Sequence, residues 1–384
     1  MASTSKITIK LNDIKHNVNF LKSLIGDSVR LSAVIKGNAY GHGTSNMVRA
    51  FELAGINHFS VYSSPEARVA FDTQSSDPTI VIMGFICEND YKWVIKNNIE
   101  FYVSNLDVLE KAVQYSKETG NKALLHLDIE TGMNRTGIAN KDFKNAVSII
   151  NSNLDYLEII GITSHFAGAE SIANHTRIKK QFSVYKKRVK YFENNNIVPK
   201  IKHIASSAAT INYPDTRLDL VRIGILLYGY WPTRETFINY IHRRKEKSDP
   251  LNRSLRWCSS VIAIKNIDIG DFIGYGMSFQ AQHKMKIIIV PVGYSDGYSR
   301  SLSNNGHVLV KGMKIIIVGS VNMNMIICDI TNIENVRIGD EVVLIGNQGE
   351  SEISFSSFAN MNNLLNYEIL ARLPQNIDRN LKEL

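Results

Sequence analysis

Short apolar runs alternate with amphipathic segments along the chain up to Tyr228, and this alternation predicts the fold. Most gaps between the runs carry apolar residues at helical spacing, as in 44–53 and 106–115. After a strand at 6–11, the runs predict eight further strands, at 31–36, 58–62, 79–83, 99–103, 122–129, 155–164, 201–205 and 219–223. Eight strands alternating with helices are typical of a parallel barrel, so we predict an α/β fold with a TIM-like (β/α)8 barrel.

The pattern changes after Gly229, where 230–256 has the composition of a connector. Apolar runs beyond it predict strands at 259–264, 285–291, 307–310, 314–318, 325–330 and 341–345, followed by a helix near 356–365. Gly, Asn and Asp turns between these runs favour a mainly antiparallel, β-rich domain. We therefore expect the barrel to span 12–235 and the β-rich domain to span 236–384, together with the amino-terminal strand, 1–11.

Composition narrows the classes of function. The net charge of +8 would suit nucleic acid, but the basic residues are dispersed apart from 242–247, which we interpret as a solvated loop. Cys87, Cys258 and Cys328 lie far apart, which argues against a metal site and a disulfide framework. The amino terminus lacks a signal peptide's apolar core, and no run approaches the roughly 18 apolar residues of a membrane span. We expect a cytoplasmic protein that binds neither nucleic acid nor membrane.

Lys36 stands at the exit of the first predicted barrel strand, where the composition changes abruptly to Gly, Asn, Tyr and His. Burial at such a position lowers the pKa of an amine and makes the amine nucleophilic. Gly37, Gly41 and Gly43 allow the backbone to approach a ligand closely or to adopt positive φ. A βα turn with a snorkelling lysine is the simpler interpretation when such a sequence stands alone.

Other polar residues lie at the carboxyl ends of the predicted strands, where barrel active sites are found. They are Arg135 in the segment 131–137, Ser164 and His165 after 155–164, His203 within 201–205, Ser206 and Ser207 after it, and Arg222 in 219–223. A serine pair that opens a helix, together with the backbone N–H groups of Gly224 and Ile225, suits a phosphate. Each residue taken alone can be structural, but their shared position at one rim predicts a site.

The string Ala-Val-Ile-Lys-Gly-Asn-Ala-Tyr-Gly-His-Gly at 33–43 resembles the pyridoxal-phosphate lysine motif of the alanine racemases. Thr-Gly-Met-Asn-Arg at 131–135 and Ser-His-Phe-Ala at 164–167 extend the resemblance, which runs from the amino-terminal strand to Tyr367. It implies an enzyme that holds pyridoxal 5'-phosphate as a Schiff base to Lys36. It also implies interconversion of L-alanine and D-alanine, with D-alanine supplied to a bacterial cell wall.

The resemblance further implies roles for individual residues of the barrel. Arg135 is similar to the arginine that binds the substrate carboxylate, His165 to the histidine packed against the pyridine ring, and Arg222 to the arginine that hydrogen-bonds the pyridine nitrogen. The residues similar to those that hold the cofactor phosphate are Tyr40, Ser207, Gly224, Ile225 and Tyr367.

In the β-rich domain, Tyr275 within Gly-Tyr-Gly resembles the second catalytic base of the family. Tyr294 and Met323 resemble substrate-pocket residues, and Arg300 resembles an entrance residue. In the family these residues complete the active site of the other subunit, so the resemblance implies a homodimer with shared sites. Racemisation removes a proton from one face of Cα and delivers one to the other, so Lys36 would serve D-alanine and Tyr275 L-alanine.

Some positions depart from the family pattern. Asp128 stands where many members carry a carboxylated lysine, and it either orients Arg135 or is a strand residue with no such role. Asn324, Ser320 and Glu170 replace an aspartate, an arginine and an aspartate near the pocket and its entrance. A serine racemase or a racemase of broader specificity therefore stays open as an alternative to alanine.

Two other classes are less consistent with the residues. A decarboxylase on the same plan would pair the ring nitrogen with a carboxylate and use a cysteine as its acid, whereas this chain offers Arg222 and Tyr275. A non-catalytic protein that handles the cofactor would consist of the barrel alone, whereas residues 256–384 predict a second domain.

Overall fold

The computed structural model describes residues 4–354 and 366–384, which fall into two compact units. The first, here the barrel unit, contains 14–37 and 47–252. The second, here the β-rich unit, contains 4–13, 38–46, 253–354 and 366–384 within the described residues. The barrel unit thus continues past the predicted boundary at residue 236, and the segment that follows Gly37 is grouped with the β-rich unit.

The secondary structure is numbered along the chain. The strands are β1 (Lys6–Lys10), β2 (Arg30–Val34), β3 (His58–Ser63), β4 (Thr79–Phe85), β5 (Glu100–Val103), β6 (Ala123–Asp128), β7 (Leu157–Thr163), β8 (Ile201–His203), β9 (Leu220–Ile223), β10 (Leu255–Ser260), β11 (Ala263–Ile267), β12 (Met285–Val290), β13 (His307–Val310), β14 (Met313–Ile316), β15 (Ile326–Asp329), β16 (Glu341–Gln348), β17 (Ser351–Ile353) and β18 (Asp378–Lys382). The helices are α1 (Leu11–Ile25), α2 (Lys36–Tyr40), α3 (Thr44–Leu53), α4 (Ser64–Thr73), α5 (Tyr91–Lys96), α6 (Leu106–Thr119), α7 (Phe143–Asn151), α8 (His175–Glu193), α9 (Ser207–Asn212), α10 (Arg234–His242) and α11 (Asn366–Ala371). Among the described residues, no helix has the length and apolar character needed to cross a bilayer.

The barrel unit is built on eight parallel strands in the order β8-β7-β6-β5-β4-β3-β2-β9. The two end strands approach each other, because the backbone N–H of Asp219 donates to Lys202 O at 3.1 Å and that of Arg222 donates to Ala205 O at 3.0 Å. These bonds nearly close the sheet into a barrel. The predicted (β/α)8 architecture is therefore confirmed, since each of the eight apolar runs is a strand of this sheet.

The predicted connector contains a helix that the sequence analysis missed. Helix α10 begins after Thr233, whose hydroxyl oxygen accepts a hydrogen bond from the backbone N–H of Thr236 at 3.1 Å. The ring of Trp231 packs on Tyr240 with centroids 5.1 Å apart, and Asn239 Nδ2 donates to Asn212 Oδ1 at 2.7 Å. These contacts join residues beyond 235 to the barrel unit.

The β-rich unit contains two sheets. In one, the strands follow the order β14-β13-β16-β10-β1-β18, with β17 beside β16, and in the other the order is β11-β12-β15. All pairings are antiparallel except that of β1 with β18, so the mainly antiparallel prediction is confirmed. The predicted strand 259–264 is instead divided between β10 and β11, and β17 and β18 were not predicted. The helix predicted near 356–365 lies outside the described residues.

The short helical turn α2, which follows β2, is left-handed from Gly37 onward. Gly37, Asn38, Ala39, Tyr40 and Gly41 all have φ between +50° and +75°. A left-handed turn costs an L-residue roughly 1–2 kcal/mol, so Ala39 and Tyr40 are strained there. Strain of this kind persists where the surrounding structure fixes it, and it is concentrated at functional sites.

Candidate active site

Lys36 lies just beyond the carboxyl end of β2, at the mouth of the barrel. Desolvation by the surrounding protein atoms lowers the pKa of its amine, although the residue is still accessible to solvent. The positive charge of Arg135 lowers this pKa further, the carboxylate of Glu66 opposes that effect, and Arg222 again lowers it. Lys36, Arg135 and Arg222 are therefore close enough to form one cationic site, and a larger fraction of the Lys36 amine is neutral than in a free lysine.

Glu66 connects the Lys36 region to the neighbouring strand. Its carboxylate accepts the backbone N–H of Gly37 at 2.7 Å and that of Tyr62, at the end of β3, at 2.8 Å. The same carboxylate supplies the negative charge that raises the pKa of Lys36. Sequence analysis missed this residue, because the bonds it makes depend on how two strand ends meet.

We expect Glu66→Gln to lower the pKa of Lys36 further, because the amide removes the nearby negative charge. In protein free of cofactor, the rate at which Lys36 is acylated should reach its half-maximum at a lower pH. Quantitative mass spectrometry of the Lys36 peptide across pH 7–10 measures this. Glu52→Gln is the matched control, since Glu52 also accepts backbone N–H groups, from Ser75 and Ser76, but does not act on Lys36. An unchanged midpoint in Glu66→Gln would contradict this assignment.

Arg222 is buried on β9, and its guanidinium has four of its five N–H groups engaged. Nη1 donates to Thr163 Oγ1 at 2.9 Å and to His203 Nδ1 at 2.6 Å. Nη2 donates to the carbonyl oxygens of Ser164 at 2.8 Å and Ile204 at 3.3 Å. Among the described residues, the Nε–H has no such partner. One donor of a fixed, permanently charged group therefore remains for a ligand.

His165, which follows β7, is held in its neutral form. Its pKa is lowered to about 3, first by burial and then by the positive charges of Arg222, Arg135 and Lys36. These charges also show that the histidine lies beside the cationic site. A neutral imidazole ring presents a flat, uncharged face, which suits stacking on an aromatic ligand.

The loops after β8 and β9 meet at Ser207. Its hydroxyl oxygen accepts the backbone N–H of Gly224 at 3.0 Å, so its own O–H proton is free to be donated. Ser206 occupies the position before α9 but makes no side-chain capping bond, and Ile225 is fully buried. The predicted phosphate residues of the barrel unit thus come together, with the Gly224 N–H engaged by Ser207.

The loop that carries Arg135 is fixed by Glu130. The Glu130 carboxylate accepts the backbone N–H groups of Gly132, Met133 at 2.8 Å and Asn134 at 2.9 Å. Arg135 itself is exposed at the end of this loop. Sequence analysis missed Glu130, because the backbone N–H groups that it binds, two to four positions further along the chain, come together only in the folded loop.

Asp128 ends β6 in a buried position. Burial raises the pKa of its carboxyl to about 6, while a hydrogen bond from Thr136 and the charges of Arg222 and Arg135 oppose the increase. The charge of Arg135 therefore acts on Asp128, but the hydrogen bond of this carboxyl is to Thr136. These observations favour an indirect effect of Asp128 on Arg135 over a direct contact.

The remaining predicted residues lie in the β-rich unit. The rings of Tyr40 and Tyr367 are 6.0 Å apart, and burial raises the pKa of Tyr40. Tyr294 and Met323 are joined by the backbone, since the N–H of Tyr294 donates to Asn322 O and that of Ser295 to Met323 O, each at 3.0 Å. Arg300 is exposed and opens a short 3-10 helix.

Tyr275 projects from the surface of the β-rich unit. It lies between Gly274 and Gly276, which have φ of +79° and +75°, and 77% of its surface is exposed. The hydroxyl of Ser278 donates to its carbonyl oxygen at 3.3 Å, so the backbone of this turn is anchored while the phenol is free to contact another molecule.

Two family models match almost the whole chain. The model of the alanine racemase amino-terminal domain matches residues 9–232, and that of the carboxy-terminal domain matches 254–381. The chain belongs to the alanine racemase family. It is therefore an isomerase, of a family that depends on pyridoxal phosphate.

Individual alanine racemases support this assignment. Alanine racemase 1 of Caldanaerobacter subterraneus subsp. tengcongensis is 33% identical over 375 residues, which is 98% of this chain and 94% of that protein. The structure of the alanine racemase of Clostridium difficile 630 matches with a TM-score of 0.90 at 28% identity, over 100% of this chain and 96% of that one. The alanine racemase of Bartonella henselae, solved with covalently bound pyridoxal phosphate, matches with a TM-score of 0.83 at 26% identity, over 99% and 100% of the two chains.

The barrel unit of this alanine racemase family member has groups that fit pyridoxal phosphate. The Nε–H of Arg222 is one fixed donor of the kind that a pyridine nitrogen can accept. Neutral His165 offers a flat face for a ring, and the Ser207 hydroxyl has a proton to donate to a phosphate. The positive charges of Arg135 and Arg222 both act on Lys36, so these cations would stabilise an anionic ligand bound beside Lys36.

Proposed function

We propose that this protein interconverts L-alanine and D-alanine with pyridoxal 5'-phosphate bound as a Schiff base to Lys36. The observation that carries the proposal is the pairing of Lys36, whose pKa is lowered, with a buried Arg222 that has one remaining donor. When bound, pyridoxal phosphate accepts the electron pair that the α-C–H bond leaves behind. The protein must then position the substrate and move protons on both faces of Cα.

Each chain residue has a defined part in this scheme. Arg222 Nε would donate a hydrogen bond to the ring nitrogen of the cofactor and, because a guanidinium keeps its proton, would leave that nitrogen unprotonated. The Lys36 amine, of which a larger fraction is in the neutral, proton-accepting form because its pKa is lowered, would exchange the proton on the D face. Arg135 binds the substrate carboxylate, and Tyr275 of a second subunit exchanges the proton on the L face. A phenol has a pKa near 10, so it needs a cation nearby to serve as a base, and Arg135 is the candidate.

Alanine is the substrate we propose, with Tyr275, Tyr367 and Met323 leaving little room beyond a methyl group. Serine or a broader range is the alternative, because Asn324 and Ser320 place neutral polar groups at the pocket. Asn324 Nδ2 donates to Ser295 Oγ at 2.8 Å, and the Ser320 and Ser278 hydroxyl oxygens are 3.0 Å apart. Both side chains are thus engaged by neighbouring serines.

Chiral chromatography after incubation with cofactor and L-alanine, L-serine or L-lysine tests the function and its substrate. We expect L-alanine and D-alanine to reach equal concentrations from either starting enantiomer, because enantiomers have equal free energies. Faster conversion of serine than of alanine would support the alternative. Release of carbon dioxide and an amine without D-alanine would overturn the proposal in favour of a decarboxylase.

We further propose that two copies form a homodimer in which Tyr275, Tyr294, Met323 and Arg300 complete the site of the other subunit. Large apolar side chains on this surface support the proposal, since Tyr275, Met277 and Met323 are 77%, 74% and 55% exposed. Large apolar side chains with this degree of exposure are found at protein interfaces. The three cysteines are free thiols, which supports a reducing, cytoplasmic location, where D-alanine for a bacterial cell wall would be made.

Hybrid dimers test the shared site. We expect Lys36→Ala and Tyr275→Phe each to have little activity alone, because each lacks one of the two bases. Unfolding the two variants together and refolding them should restore about one quarter of the wild-type activity, since half of random dimers are hybrids and one of the two sites in each hybrid is intact. A mixture that stays as inactive as its components would contradict a shared site.

A further inference from the structure

Behind Arg222, a chain of buried hydrogen bonds crosses the interior of the barrel. Arg222 Nη1 lies 2.6 Å from His203 Nδ1, and His203 Nε2 lies 2.9 Å from His126 Nδ1. His126 Nε2 then lies 2.6 Å from Glu100 Oε2. The chain thus runs from β9 through β8 and β6 to Glu100, the first residue of β5. None of the roles that the family resemblance implies for barrel residues involves His203, His126 or Glu100.

The chemistry of the groups fixes every proton in this chain. A guanidinium has no acceptor, so His203 Nδ1 must accept from Arg222 and His203 must carry its proton on Nε2. His203 then donates to His126 Nδ1, which leaves the His126 proton on Nε2 to be donated to the Glu100 carboxylate. If His126 gained a second proton, its Nδ1–H would have to donate to His203 Nε2. His203 would then accept hydrogen bonds at both nitrogens, which a neutral imidazole cannot do. Both histidines are therefore neutral and each has a single tautomer.

Neighbouring residues of the barrel accommodate the two imidazole rings of this hydrogen-bond chain. A Cβ atom on Gly161 of β7 would lie 2.2 Å from His126 Nδ1, so the absence of a side chain there makes room for the ring. Tyr102 packs against both imidazoles, with ring centroids 5.7 Å from His126 and 6.0 Å from His203. The pKa of His203 lies well below its usual value because of burial and then the charge of Arg222, which agrees with a neutral ring.

We propose that Glu100, His126 and His203 are positioning residues for Arg222. They form an oriented hydrogen-bond relay with one anion, the Glu100 carboxylate. This anion fixes the rotation of the Arg222 guanidinium and thereby directs its Nε–H toward the ring nitrogen of the cofactor. This inference rests on the proposed function for the identity of the ligand, but the relay itself does not. All donors in it point toward Glu100, so the carboxylate polarises both imidazoles and strengthens the acceptor that Arg222 Nη1 uses. Without that anchor, the bond from Arg222 to His203 weakens and the guanidinium is held only by Thr163 and the carbonyl oxygens of Ser164 and Ile204, so the direction of the Nε–H is less firmly fixed.

Nitrogen-15 spectra of the histidine rings test the relay in cofactor-free protein, independently of activity. We expect both His203 and His126 to show protonated Nε2 and unprotonated Nδ1. A protonated Nδ1 on His203 in the wild-type protein would overturn the proposal, whether or not the protein proves to be a racemase.

Variants of Glu100 test the consequence for the reaction. Glu100→Leu leaves the buried Nε2–H of His126 without an acceptor, and we expect kcat to fall about tenfold and the ratio of transamination to racemisation to rise, with KM for alanine nearly unchanged. Glu100→Gln keeps an acceptor oxygen, so it should retain the tautomers and recover most of kcat. Glu158→Leu is the matched control, since Glu158 also lies on a barrel strand but pairs with Lys200 outside the relay.

The outcomes are distinguishable. A folded Glu100→Leu protein with wild-type kcat, wild-type reaction ratio and unchanged His203 signals would overturn the positioning role. If this variant does not fold, the wild-type spectra and Glu100→Gln decide the matter, because a wild-type tautomer other than the one derived above contradicts the relay. Wild-type protein that shows the expected tautomers but no racemisation would refute the proposed function and leave the relay itself standing.

Discussion

Replacing Lys36 with alanine is expected to reduce the interconversion of L-alanine and D-alanine by about a thousandfold or more, because in the proposed mechanism it removes both the anchor of the cofactor and one of the two bases. The loss should not come from unfolding, since Lys36 makes no side-chain hydrogen bond or ion pair among the described residues. Thermal unfolding monitored by circular dichroism should therefore give nearly the wild-type midpoint, while chiral chromatography gives the rate.

Lys202→Ala provides the matched control for that experiment. Lys202 also lies on a barrel strand, but it pairs with Glu193 rather than lining the cationic site. We expect the control to racemise alanine at close to the wild-type rate. The role given to Lys36 would be wrong if Lys36→Ala, stripped of contaminating wild-type protein, retained activity within tenfold of the wild type.

Replacing Arg222 with glutamate is expected to change which reaction occurs as well as its rate. Arginine donates to the ring nitrogen without protonating it, whereas a carboxylic acid or carboxylate at the same place stabilises the protonated ring, which withdraws electrons more strongly. The deprotonated substrate would then persist for longer, with more time for a proton to be added at a carbon of the cofactor instead of at Cα. We therefore expect racemisation to slow and the ratio of transamination to racemisation to rise by about tenfold or more.

Stability must be measured alongside, because the substitution also removes four buried hydrogen bonds of Arg222. Arg222→Lys is the control, since it keeps a permanent donor with fewer N–H groups and should slow racemisation without raising the ratio. Pyridoxamine phosphate and D-alanine, both quantified by chromatography, give the ratio. An unchanged ratio in folded Arg222→Glu protein would refute the role of arginine in selecting the reaction.

The barrel could be predicted from sequence because its strands are buried on both faces and are therefore short, nearly continuous apolar runs. Helix α10 escaped prediction because Trp231, Pro232 and the basic segment after it have the composition of a connector, and only the capping pair Thr233 and Thr236 indicates a helix start. Strand β18 escaped because 378–382 contains three charged residues and a single apolar one, Leu381, and because its pairing with β1 spans almost the full chain.

Some residues of the candidate site could likewise be predicted from the sequence, and others could not. Residues proposed to contact a ligand, such as Lys36, Arg135 and Arg222, lie in recognisable strings and could be predicted as candidates. Glu66 and Glu130 could not, because they bind backbone N–H groups whose position is set only once the loops are folded. The pairing of His126 with Glu100 depends on the register between neighbouring strands of the barrel, which the sequence of neither strand specifies.

The central claim is that Lys36 is the residue to which the cofactor is bonded, and it can be tested without an activity assay. Borohydride reduction of the protein loaded with pyridoxal phosphate fixes a cofactor-lysine bond, and peptide mapping by mass spectrometry locates it. We predict one phosphopyridoxyl group per chain, on the peptide that contains Lys36, and no change in that position when free lysines on the surface are acetylated first. A phosphopyridoxyl group on any other lysine, with Lys36 unmodified, would contradict the account.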